Sequence, residues 1–132
     1  MENLELVREL YRRVKVEGTF PRELLDEDVE YVNPPDAIEG GTRRGRDEFE
    51  AATRTLDDAF EEMRVEIDDL IDTGGDEVVV LLTFVVTGRG SGLIRRQPQG
   101  HVWTVRDGRA HRFRWFNDPA QALRAAGLEQ SA

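Results

Sequence analysis

The groups able to do chemistry in this 132-residue chain are few. His101 and His111 are its two histidines and its only side chains that titrate near neutrality without help. Tyr11 lies on an apolar stripe at helical spacing, where a tyrosine is read equally well as a core residue or as a hydroxyl pointed into a cavity. Tyr31 and Asn33 share one face of a strand pattern. The Asn33 amide can orient a carbonyl, a hydroxyl or water but cannot act as a base, and asparagine before Pro34-Pro35 is also what a turn uses. Asp118 is the carboxylate most tempting as a general acid, although Asp before Pro119 is what a helix N-cap with Pro at the first position looks like.

Other chemistries lack their residues. There is no cysteine, so disulfides, thiolate nucleophiles and Cys-ligated metals are excluded. The acidic set Asp57, Asp58, Glu61, Glu62, Glu66, Asp68, Asp69 and Asp72 lacks a glycine-bearing loop to fix oxygen geometry and reads as a solvated face. Gly88 to Gly92 is followed by no helical pattern and so is a strand connection, not a dinucleotide loop. No metal and no cofactor are expected. Lys15 is the one lysine, a residue off the apolar stripe and a poor Schiff-base candidate. The net charge is −9, with 24 acidic and 10 basic side chains in residues 1–87 against 3 and 8 in residues 88–132. The later arginines are spread along strands, and the domain as a whole repels phosphate, so no nucleic acid is expected. The longest apolar run, Val78 to Val86 broken by Thr83, falls well short of the roughly 20 residues of a membrane span. The acidic start Met1-Glu2-Asn3-Leu4-Glu5 has no leader pattern, which gives a cytoplasmic expectation.

With 39% apolar residues the chain can bury one core, and residues 1–132 are expected to form one domain. Leu4, Val7, Leu10, Tyr11 and Val14 predict a first helix, with Asn3 as N-cap and Gly18 as stop. Pro21 opens a short second helix with Leu24 and Leu25, and residues 29–33 predict a strand. A third helix carries Phe49, Ala52, Leu56, Ala59, Phe60 and Met63 on one stripe. From Met63 the period becomes two, and four antiparallel strands follow. The second is Val78–Thr87, the third runs from about Leu93 to Val105, and the last is residues 110–117, entered through the Asp107-Gly108 turn. Pro98 demands an edge or a bulge in the third of these strands. Asn117-Asp118-Pro119 then caps a last short helix ending at Gly127.

In this order the chain resembles the SnoaL-like polyketide cyclases and ketosteroid isomerases of the nuclear transport factor 2-like superfamily. The resemblance rests on Tyr11 seven positions before Gly18, Asp28 to Pro35, Gly41 to Arg46, Val78 to Val86 and His101 to Arg109. It implies an α+β fold: a curved antiparallel sheet wrapped on the N-terminal helices as a cone that holds a small, largely apolar ligand. Ketosteroid isomerases use an Asp base beside a Tyr and a protonated Asp. In this sequence the tyrosine falls on Tyr11, the base on Asn33 and the protonated Asp on Gly100, so isomerase chemistry of that kind is not expected. In SnoaL-like cyclases a His at the start of this strand is assigned to chemistry, which favours His101. If Gly100 and Val102 face the cone, however, His101 faces away unless a bulge at Pro98 or Gly100 reverses the parity.

The resemblance and the alternation together give a candidate site of Tyr11, Asn33, His101 and Asp118, lined by Tyr31, Ala52, Leu56, Leu82, Phe84, His111, Phe113, Trp115 and Asn117. The expected partner is a small hydrophobic molecule with a polar handle. Any reaction is expected to be isomerase-, cyclase- or hydratase-like proton transfer or water addition, and whether the chain is catalytic stays open. The alternative is a non-catalytic ligand-binding or assembly domain of the same fold. A homodimer is expected through the outer sheet face, with Leu81, Thr83, Val85, Trp103, Val105, Arg112, Arg114 and Phe116 turned outward and no spare element to cover them.

Overall fold

A computed structural model describes residues 2–38 and 40–128. The single-domain reading of 1–132 therefore extends over residue 1, residue 39 and residues 129–132, which lie outside the described residues. Helix α1 (Asn3–Glu17) buries Leu6, Val7, Leu10 and Tyr11; of the stripe the spacing predicts, Val7, Leu10 and Tyr11 are buried, while Leu4 and Val14 are only partly so and Leu6 joins the core instead. It ends at Gly18, whose φ of 80° lets its N–H reach the Val14 carbonyl. Glu2 is the N-cap, not Asn3; the Asn3 amide instead donates to the Gly75 carbonyl. A 3₁₀ turn (Arg22–Leu24) leads into β1 (Leu25–Val32), which starts four residues earlier than expected. The following loop contributes a short strand, β2 (Thr42–Arg44). Helix α2 (Arg46–Asp58) buries Phe49 and Ala52 and stops before Phe60 and Met63, so those two are not on its stripe. Four long strands follow, β3 (Glu62–Asp72), β4 (Glu77–Thr87), β5 (Ile94–Arg106) and β6 (Arg109–Phe116), and then α3 (Pro119–Ala125).

The curved six-stranded sheet has the order β2-β1-β6-β5-β4-β3 and does not close. The last four strands pair antiparallel as expected, but β1 runs parallel to β6, so the sheet is mixed. Helices α1 and α2 cover one face. There Leu6, Leu10 and Phe49 pack against Val80, Leu82, Trp103 and Phe113 to form the main core. Helix α3 lies on the other face, with Ala122 and Leu123 against Val79 and Val102. No described helix is long and apolar enough to cross a membrane.

The expected parity holds along β4 and fails along β5. Val78, Val80, Leu82, Phe84 and Val86 belong to the main core, but so do Trp103 and Val105, while Val102 packs under α3. No bulge intervenes at Pro98 or Gly100, because β5 pairs with β4 residue for residue from Ile94 to Thr104. Pro98 is accommodated where β5 has a neighbour on one side only, since β6 begins pairing at Gly100. The reason for the inverted parity is Gly100. A Cβ there would sit 2.4 Å from the Ala122 Cβ and 3.3 Å from the Pro119 Cα, so this position is where α3 approaches the sheet. Gly100 therefore faces α3, and His101 and Trp103 face the helices opposite.

Two premises of the dimer expectation change accordingly. Trp103 is fully buried in the core, and α3 is the covering element thought to be missing. A charge at position 103 would break the core, not split an interface. Beyond α3, Thr83 and Val85 are buried on the outer face beneath a polar sheath. Arg96 reaches across β4 to Glu66 at 2.5 Å, and the Thr83 hydroxyl donates to Asp68 at 2.8 Å.

Gly100→Ala should cost about 1–3 kcal/mol in urea unfolding, the usual range for overpacking. Adding Ala122→Gly should restore part of that loss, because it removes the colliding methyl. Equal losses in the single and double variants would show that α3 is not held as described.

Candidate functional site

Between α1, α2 and the concave sheet face lies an open cavity of about 1110 Å³. Aromatic rings form its inner wall, among them Tyr31, Phe84, Phe113 and Trp115, and Met63, Val65 and Ile67 of β3 form one side. Polar groups are sparse inside and charged at the rim, where Lys15, Asp57, Arg64 and Glu66 stand.

At the inner end Tyr11 and His101 meet. The Trp103 Nε1–H donates to the Tyr11 hydroxyl oxygen at 2.8 Å, and that hydroxyl lies 2.5 Å from His101 Nδ1. The three groups come from α1 and from alternate positions of β5, so period two on one strand and the buried stripe of one helix suffice to assemble them. The His101 ring packs edge-on against Phe113 with centroids 4.7 Å apart. Burial disfavours its charged form and lowers its pKa to about 3, so it is neutral at pH 7. Burial likewise pushes the Tyr11 phenol well above its ordinary value, against the opposing pull of the Trp103 hydrogen bond. Tyr31 is pushed up to about 12, chiefly by burial. Among the described residues its hydroxyl has no protein partner, and it is not sealed from the cavity.

The remaining expected residues divide. Leu56 and Asn117 line the cavity with Tyr31, Phe84, Phe113 and Trp115, whereas Ala52 and Leu82 are buried in the core behind the lining. Asn33 stands just beyond β1, and its amide is already engaged. Its Nδ2 donates to the Gly41 carbonyl at 3.2 Å, closing the β1–β2 loop, and its Oδ1 accepts from Trp115 Nε1 at 2.9 Å. It thus fixes a wall of the cavity without lining it. Asp118 does not line the cavity; its carboxylate caps α3, accepting from the Ala120 N–H at 2.9 Å.

His111 is turned away from the cavity, contrary to the alternation read from Phe113 and Trp115. A bulge sets Arg112 opposite Thr104 and Ala110 opposite Val105, which leaves His111 as the extra residue. Ala110 takes the core position, and His111 lies partly exposed 4.0 Å from Asp26. Phe20, Thr53, Gln99 and the β3 wall were not foreseen as lining residues. Gln99 was within reach of parity, since it shares the face of His101. The β3 alternation was visible, but nothing local shows that its apolar face meets a cavity.

A family model of the SnoaL-like domain matches residues 9–113. No curated protein matches the chain. Among solved structures it is similar to an NTF2-like protein of unknown function from Burkholderia pseudomallei K96243, at 31% identity over 94% of this chain and 97% of that one, with a TM-score of 0.72. It is similar also to TerC co-crystallised with polyporic acid, at 26% identity over 95% and 98% of the two chains and a TM-score of 0.72. A putative SnoaL-like polyketide cyclase from Jannaschia sp. CCS1 shares the fold at 20% identity over 98% and 93%, with a TM-score of 0.73. With its curved sheet, its helices on the concave side and the family match over most of its length, the chain belongs to the SnoaL-like family of the NTF2-like fold.

The buried neutral histidine makes stability depend on pH. Its folded pKa lies below the unfolded value of about 6.5, so the unfolded chain binds more protons between the two. The contribution is fully present above about 6.5 and is lost as pH falls toward 3, at up to about 1.4 kcal/mol per pH unit. Carboxylates shifted down by ion pairs, such as Glu30 and Glu66, act in the same direction. Urea unfolding of the unmodified protein beside His101→Gln isolates the histidine. The unmodified protein should lose more stability between pH 6.5 and 5, and parallel curves would contradict a buried neutral His101.

Proposed function

We propose that this chain binds a small, mostly apolar molecule with a polar handle in the concave cavity. The observation that carries the reading is the cavity itself: open, about 1110 Å³, walled by aromatic rings and supplied with few polar groups, as small-molecule sites generally are. The ligand-bound TerC structure, at 26% identity, supports the same class of partner. Tyr11 then acts through His101, and Asn33 acts through Trp115 as a positioning residue. Any reaction in the cavity is isomerase-, cyclase- or hydratase-like proton transfer or water addition on a neutral molecule, without metal or nucleotide.

A thermal-shift panel of hydrophobic ketones, quinones including polyporic acid, and plain aromatic hydrocarbons tests this. A ligand present at a hundred times its Kd adds about 2.7 kcal/mol, which is several degrees for a domain of this size. Stabilisation by no member would sink the binding reading and favour an assembly domain.

For assembly we propose a homodimer through what remains of the outer sheet face. Phe116 and Leu81, which pack beside α3 but stay partly exposed, and the arginines Arg112 and Arg114 supply the aromatic and Arg content common at interfaces. Sedimentation equilibrium at micromolar concentration should give twice the 15.1 kDa chain mass, and a monomer would refute the dimer.

A further inference from the structure

The hydrogen bonds around Tyr11 settle which nitrogen of His101 carries the proton. An indole N–H only donates, so the Trp103 bond uses a lone pair of the Tyr11 oxygen and leaves the Tyr11 hydrogen to find an acceptor. Among the described residues the one acceptor within reach is His101 Nδ1, at 2.5 Å. Were Nδ1 protonated, the Tyr11 oxygen would receive two donors while its own hydrogen, on a buried side chain, pointed at nothing. The direction therefore runs from Trp103 to Tyr11 to His101 Nδ1, and a neutral imidazole accepting at Nδ1 carries its hydrogen on Nε2.

Nε2 has no protein partner among the described residues, yet it is not sealed off, and His101 lines the cavity. The two amides of the lining, Gln99 and Asn117, are turned to one another, Gln99 Nε2 donating to Asn117 Oδ1 at 3.2 Å.

We infer that His101 is locked by Tyr11 and Trp103 as a neutral Nε2–H donor facing the cavity, so that the ligand recognised there carries an acceptor oxygen, such as a ketone carbonyl, on a hydrophobic body. This rests on the small-molecule reading above and sharpens it. His101 offers a hydrogen bond and does not take up a proton, and Tyr11 is the positioning residue that holds its tautomer. Burial, which keeps the ring uncharged, acts in the same sense.

Two measurements test the inference. In ¹⁵N-histidine-labelled protein without ligand, long-range ¹H–¹⁵N spectra should show His101 with Nδ1 bare and Nε2 protonated, unchanged from pH 5 to 8. An Nδ1–H tautomer, or titration within that range, would overturn the proposal. The second compares 2-acetylnaphthalene with 2-isopropenylnaphthalene, in which a CH2 group takes the place of the acceptor oxygen and the shape is kept. The ketone should bind about tenfold tighter, as one hydrogen bond warrants. The preference should vanish in His101→Phe and partly return in His101→Gln, which restores an amide donor. Equal binding of both probes to the unmodified protein would refute the donor role. Binding of neither, with no hit in the wider panel, would bring down the cavity reading itself and this assignment of its ligand with it, whereas the spectra report the tautomer without any ligand.

Discussion

The structure turns on one buried hydrogen-bonded line, Trp103 to Tyr11 to His101, where the first helix meets the fifth strand. Burying a tyrosine, an indole and an imidazole together is costly unless each polar atom is satisfied, and here two of the three groups are satisfied by one another. The line ties α1 to the sheet, because Tyr11 reaches both partners from the helix face that packs Leu6, Val7 and Leu10 on the same core. It also leaves one donor unspent at the cavity. The same contact thus closes the core and opens the site.

On the far side of the sheet, Gly100 is the complementary constraint. The strand that presents His101 and Trp103 to the helices must present its alternate positions to α3, and only a residue without a side chain fits between β5 and Ala122. Helix α3, capped by Asp118, lets Val79 and Val102 be buried on a face that would otherwise be wet. A carboxylate that looks catalytic by position is in this way committed to the packing that determines which way the histidine points.

Features decided by neighbours in sequence were legible in it. The α1 stripe, its glycine stop, the strand periodicity, the Asp107-Gly108 turn, with both residues at positive φ, and the cap at Asp118 all follow from local stereochemistry. The resemblance to the SnoaL-like proteins added the curved sheet and the cavity. Features decided across the fold were not legible. The inward face of β5 depends on the approach of α3 to Gly100, the exclusion of His111 depends on a bulge between β5 and β6, and the parallel pairing of β1 with β6 joins strands far apart in the chain. Asn33 shows the same division: its type suggested a role at the site, but only the fold shows that its amide is already held by Gly41 and Trp115.

The central claim is that the cavity receives a hydrophobic molecule whose acceptor oxygen meets the imidazole N–H left free by this line. A crystal structure of the protein soaked with 2-acetylnaphthalene tests it most directly. The account predicts the rings between Phe84, Phe113 and Trp115, with the carbonyl oxygen within hydrogen-bond distance of His101 Nε2. A ketone bound with its oxygen turned to the rim, or lodged outside the cavity, would contradict it.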